Sequence, residues 1–143
     1  MVLDSNVWGS HYWFVLLTIA ICYPIYPNDV TKKKYYELIH NFPLFMPDSR
    51  IGKNFSGLLD KYPITPYLDS RDSFIKWVHF IHNRVNVMQG KEEISLSRAL
   101  KEYYYHYKPK AIKIQEEKKY RRKLIFFVVL VLSVSAVYYL YKK

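Results

Sequence analysis

One thiol limits the chemistry of these 143 residues before any other feature does. Cys22 is the only cysteine, so no disulfide, CxxC redox pair or cysteine zinc cage can form within the chain. A dithiol reaction needs one thiolate to attack and a second sulfur to resolve the bond. Cys22 cannot be both. It sits in the apolar run Ile19-Ala20-Ile21-Cys22-Tyr23, where a free cysteine behaves as a small buried hydrophobe. The histidines are the remaining ligand candidates. His79 and His82 stand three apart, as two ligands on one helix face would, yet His11, His40 and His106 add no third at metal-ligand spacing. No metal is expected.

Charge narrows the partners. Residues 1–90 carry nine basic and seven acidic side chains, whereas residues 91–123 carry eleven and five. Basicity therefore gathers beside the apolar end of the chain, an arrangement that suits anionic headgroups better than a nucleic-acid groove. The basic residues alternate with Glu92, Glu93, Glu116 and Glu117, and nucleic acid is not an expected partner.

The elements that must position these groups read as helices. Only four glycines punctuate the chain, which disfavours a turn-rich sheet. Residues 7–23 predict a mostly buried first helix ended by Pro24 and Pro27. Asn28 or Asp29 caps a second, with Tyr35, Leu38, Ile39 and Phe42 on one face. A third runs from about Asp48 to Lys61 with Ile51, Phe55, Leu58 and Leu59 inward. Ser70 caps a fourth, whose Phe74, Trp77, Val78, Ile81, Val85 and Met88 recur at helical spacing until Gly90 stops it. A fifth, Tyr-rich helix covers 95–107. Pro109 then starts a helix that nothing interrupts as far as Tyr141.

From Leu124 to Tyr141 there are eighteen residues without a charge, roughly 27 Å of helix, enough to cross a thin bilayer. Ser133 and Ser135 can return their hydroxyls to the helix backbone. Tyr138, Tyr139 and Tyr141 lie at one end, and Lys118, Lys119, Arg121, Arg122 and Lys123 at the other. Asp4 precedes the first apolar run and no basic region leads it, so a C-terminal anchor rather than a signal peptide is expected. The positive-inside bias then places the N-terminal domain in the cytosol.

Three stretches, in order, resemble the Erv/ALR family of FAD-linked sulfhydryl oxidases. Trp8-Gly9-Ser10-His11-Tyr12-Trp13, followed by Leu16, Thr18, Ala20 and Tyr23-Pro24, is similar to the family's WGxxxWxxLHTxAxxYP. Phe45-Met46-Pro47, with Phe55 beyond, is similar to YPCxxCxxxF. Trp77, His82-Asn83-Arg84-Val85-Asn86 and Gly90-Lys91 resemble WxxxxHNxVNxxxGK. The resemblance covers residues 8–91 and implies a small all-α bundle. It implies FAD contacts at Gly9, Trp13, His82, Asn83, Asn86 and Lys91. Aromatic rings can stack on the flat groups of such a cofactor, and a lysine can meet its pyrophosphate. Core packing for the tryptophans and backbone satisfaction for the two asparagines fit the same residues.

The departures are as specific as the matches. The family's CxxC falls on Asp48 and Ile51, the histidine closing the first motif is Leu17, and the cysteine often found before HN corresponds to His79. These changes lead to the expectation of a chain that is not an enzyme, that holds no cofactor, and whose FAD contacts are vestigial. The expected organisation is an Erv/ALR-like helical domain at 1–92, a basic Tyr-rich helical linker at 93–123, a transmembrane helix at 124–141 and a basic tail at 142–143. By analogy with family members of large DNA viruses, the expected role is a non-catalytic membrane-anchored structural protein, such as a viral minor capsid protein or capsid-to-membrane tether, with its N-terminal domain in the cytosol or between an inner viral membrane and the capsid. The alternative is a FAD-binding sulfhydryl-oxidase-like protein that retains cofactor or acts with a partner's thiols. Expected partners are a lipid bilayer, capsid or other membrane-associated proteins, and a second copy through Phe14, Leu17 and Ile21. Tyr103, Tyr104, Tyr105 and Tyr107 form either a candidate docking surface or a stripe packed within the chain.

Overall fold

A computed structural model describes residues 3–142; Lys143 of the expected tail lies outside them. Six α-helices follow one another: α1 (Ser5–Ile21), α2 (Asp29–Asn41), α3 (Ser49–Lys61), α4 (Arg71–Met88), α5 (Leu96–His106) and α6 (Lys110–Tyr141). Short 3-10 turns at Phe42–Phe45 and Thr65–Tyr67 fall where Pro43 and Pro66 deny an amide to a longer helix. No strand occurs among the described residues. The fold is all-α, as the spacing predicts.

Each start has a local cause. Asp4, Asn28, Asp48 and Ser70 accept hydrogen bonds from first-turn amides of α1 to α4, which satisfies donors that the helix itself cannot. α4 stops at Gly90, whose φ of 72° is open to glycine at little cost.

The chain divides into two compact units, Met1–Lys101 and Glu102–Lys143. In the first, α1 packs along α4 and α3 seats on the Phe42–Phe45 turn. Its core is aromatic and aliphatic: Tyr23, Phe55, Phe74, Leu16, Ile39 and Ile81 are almost fully buried. Two aromatic residues of the core pair their polar ends with backbone carbonyls. The Tyr23 hydroxyl donates to the Leu68 carbonyl at 2.8 Å, and Trp77 Nε1 donates to the Tyr62 carbonyl at 3.1 Å. Gly52 is fixed by the close approach of α3, since a Cβ there would lie 2.7 Å from the Pro43 carbonyl oxygen.

Several sequence expectations need correction. Leu38, placed on one face with Tyr35, Ile39 and Phe42, is 40% exposed, and α1, expected to be mostly buried, fully buries only Leu16 and Ala20. Met88 is 54% exposed, beyond Val85, the last buried residue of α4. Cys22 is exposed rather than buried. It caps α1 after Ile21, and the inward directions of that turn are taken by Ala20 and Tyr23, both at 0% exposure.

The second unit holds the last turn of α5 and all of α6. Tyr103 packs edge-on against Tyr104, its hydroxyl lies 3.0 Å from that of Tyr107, and Lys108 and Lys113 stand over the Tyr105 ring. α6 runs unbroken for 32 residues, none of them buried, and is long and apolar enough to cross a membrane. Ser133 and Ser135 donate to the carbonyls of Val129 and Val131, each at 2.8 Å.

Candidate functional site

The residues singled out in the sequence come together along the seam between α1 and α4. On α1, Asn6, Gly9 and Trp13 follow one another at helical spacing; on α4, His82 and Asn86 do the same. The two faces meet where the Trp13 and His82 rings stack, with centroids 4.3 Å apart and planes 18° from parallel. Phe55 on α3 supports Trp13 from the other side at 5.9 Å. Around Gly9 no atom lies within 4 Å of where a Cβ would stand, so this part of α1 offers open backbone.

The loop after α4 brings a cation to the same seam. The Asn86 carbonyl accepts from the amides of Gln89 and Lys91, at 3.0 and 2.8 Å. With Gly90 in the left-handed region, this turns the chain back sharply. Lys91 Nζ then reaches Asn6 Oδ1 at 3.2 Å, one turn before Gly9. Asn6 was not picked out by sequence reasoning, although its spacing to Gly9 and Trp13 was the available signal.

Asn83 is used differently. Its side chain donates to the Ile94 carbonyl at 2.9 Å and accepts from the Ile94 amide at 3.1 Å, a two-point clamp on the returning loop. It is 8% exposed, and its amide lies 3.3 Å from His79 Nε2. Of the two readings left open for Asn83, backbone satisfaction is the one the geometry fills. Arg84 adds an ion pair to Glu93 and stacks on Phe80, so the segment carrying Lys91 is held at two successive positions of α4.

The positions matched to the CxxC have other work. The Asp48 carboxylate accepts from the amides of Arg50 and Ile51 at 2.8 and 3.2 Å, and Ile51 lies one turn before Phe55 on α3. Cys22 is nine residues from Trp13, roughly 14 Å along the helix, and cannot reach the stacked rings. Among the described residues no three His, Cys, Asp or Glu side chains form a metal-holding group.

Burial sets the charge state of the stack. His82 is pushed down to about 4 by burial, with smaller contributions from His79 and the Lys91 charge. His79 is also lowered, chiefly by burial. At neutral pH the Trp13 ring therefore faces an uncharged imidazole. Because the folded value lies below the ordinary 6.5, the unfolded chain binds the extra proton first as acid is added. The stability held by neutral His82 is complete above about pH 6.5 and is lost as pH falls through about 4. The size is on the order of 3 kcal/mol. Urea titrations of the flavin-free chain across this window are expected to show the loss, and His82→Phe, which keeps a ring but no proton, is expected to flatten it. An unchanged slope in that variant would place the acid sensitivity elsewhere.

The profile of the Erv1 / Alr family matches residues 10–105. A probable FAD-linked sulfhydryl oxidase of Acanthamoeba polyphaga mimivirus is 31% identical over 99 residues, which cover 68% of this chain and 69% of the relative. A FAD-linked sulfhydryl oxidase of African swine fever virus is 32% identical over 90 residues, covering 63% and 74%. The solved FAD binding domain of Erv1 from Saccharomyces cerevisiae superposes with a TM-score of 0.62 at 24% identity, over 66% of this chain and 89% of that one. The viral relatives fit the expected large-DNA-virus setting. Two expectations are overturned, however. The absence of enzymatic activity and of any cofactor was inferred from the missing cysteine pair, whereas these relatives are named FAD-linked sulfhydryl oxidases.

Proposed function

The chain belongs to the Erv1 / Alr family, and from that premise we propose that it is a FAD-binding, sulfhydryl-oxidase-like protein anchored in a membrane by α6 and working on thiols that a partner supplies. The observation that carries the reading is the stacked pair of Trp13 and His82, with open backbone at Gly9 and the Lys91 cation along one seam. That donor set fits the group. Flat aromatic faces suit a ring system, a lysine suits a pyrophosphate as a point charge, and a glycine permits close approach.

Trp13 and His82 would hold the ring systems, Lys91 and the Gly9 backbone the pyrophosphate, and Asn86 the adjoining polar edge. Asn83 positions the loop and does not touch the cofactor. When bound, FAD accepts two electrons and two protons as two thiols join in a disulfide, and in an oxidase molecular oxygen takes them on. Within these 143 residues a single exposed thiol is present, too far along α1 to reach the stacked rings, so both reacting sulfurs come from another protein. The relatives' names favour this reading over the non-catalytic capsid tether.

For topology, the five basic residues that precede the apolar stretch favour the family domain on the cytosolic side. A bilayer is the second partner.

The decisive measurement is the visible spectrum of the full chain purified in detergent and passed through a sizing column. Flavin bands are expected to travel with the protein at about one per chain, directly or after incubation with FAD. A colourless preparation that takes up no added FAD would end this reading.

A further inference from the structure

Six consecutive residues immediately before the apolar stretch, Lys118, Lys119, Tyr120, Arg121, Arg122 and Lys123, all lie exposed on α6. With 3.6 residues per turn, successive side chains point about 100° apart. Six in a row therefore face all around the axis. Five are cations and the sixth is a phenol that is 70% exposed. The band rises roughly 8 Å along the helix, close to the depth of one headgroup layer. Leu124 begins the apolar surface directly above it, and residues 118–143 contain no Asp or Glu.

The distribution around the axis decides what such a band can meet. A helix lying on a membrane, or a helix seated in a nucleic-acid groove, presents its cations along one side. A helix that crosses a bilayer is surrounded by headgroups on every side. We propose that residues 118–123 form a cationic collar that gathers anionic phospholipids around α6 at its point of entry, an inference that rests on α6 crossing a membrane. Tyr120 fills the one uncharged direction with a side chain suited to the interface. Glu117 borders the collar on the side away from the apolar stretch, and Glu116 beyond it is paired with Lys108 at 2.6 Å.

The test uses the full chain reconstituted into vesicles of phosphatidylcholine containing a minor fraction of phosphatidylserine, with spin-labelled forms of each lipid. Electron paramagnetic resonance reads the share of each lipid immobilised by the protein. Immobilised phosphatidylserine is expected to exceed phosphatidylcholine by roughly threefold or more at low salt, and the preference is expected to shrink in high salt. The combined variant K118Q/K119Q/R121Q/R122Q/K123Q should remain resistant to carbonate extraction while losing most of the preference. Equal immobilisation of the two lipids by the inserted wild-type chain would overturn the collar. So would a preference that survives in the variant. Failure of the wild-type chain to resist carbonate would instead overturn the membrane reading beneath it.

Discussion

Removing residues 124–143 is expected to move the protein completely from the carbonate-resistant membrane pellet to the soluble fraction. Between Leu124 and Tyr141 every side chain is exposed, including Phe126 at 70% and Leu132 at 63%. A stretch that apolar stays in water only if something covers it. Its twelve Leu, Ile, Phe and Val side chains together favour insertion by roughly 4 to 7 kcal/mol. The two serines, already bonded to their own helix, cost little against that. A subtler variant grades the effect: Leu130→Arg puts a charge near the middle of the stretch at a cost of about 3 kcal/mol. Part of that population should become extractable. If the shortened chain stayed in the carbonate pellet, some other segment would be the anchor.

Trp13→Ala is the second large effect, and it is expected to abolish flavin retention while lowering stability by about 2–3 kcal/mol. The indole is half-buried between Phe55 and His82, so its loss falls short of the 3–5 kcal/mol typical of a fully buried tryptophan. It also leaves the His82 ring without its stacking partner. Trp13→Phe separates the two consequences, because it keeps an aromatic plane and most of the packing. That variant should remain folded and hold measurable FAD, with affinity weakened by about tenfold. The readouts are urea midpoints and flavin absorbance on the same samples. Full flavin occupancy in Trp13→Ala would remove the stacked pair from the cofactor site.

What could be read from the sequence was local. Asn28 and Ser70 announced their helices because a capping side chain acts on amides two or three residues away, and Gly90 marked a stop for the same reason. The stripe of Phe74, Trp77, Ile81 and Val85 was visible because helix periodicity sorts core from surface. Distant events left no such mark. Asn83 pairs with the backbone of Ile94, which has no side-chain identity to recognise. Cys22 sat in an apolar run, yet the helix ended one residue before it and turned it outward. Residues of the stacked site were legible through family likeness, and Asn6 was missed because asparagine at that spacing has many uses. The enzyme and cofactor expectations failed for another reason. They treated the sulfur pair and the ring-holding seam as one device, although α3 carries the former positions and α1 with α4 form the latter.

The back-bonded hydroxyls of Ser133 and Ser135 have a consequence for life in the bilayer. Inside hydrocarbon, hydroxyl and amide side chains reaching from one helix to another help transmembrane segments pair, and small residues let them approach. Here both hydroxyls are turned inward upon their own turns, and apart from Ala136 the neighbouring surface is bulky valine, leucine and phenylalanine. Were α6 to cross a bilayer, two copies of it would gain little from touching, leaving any choice of company to the helices that precede it.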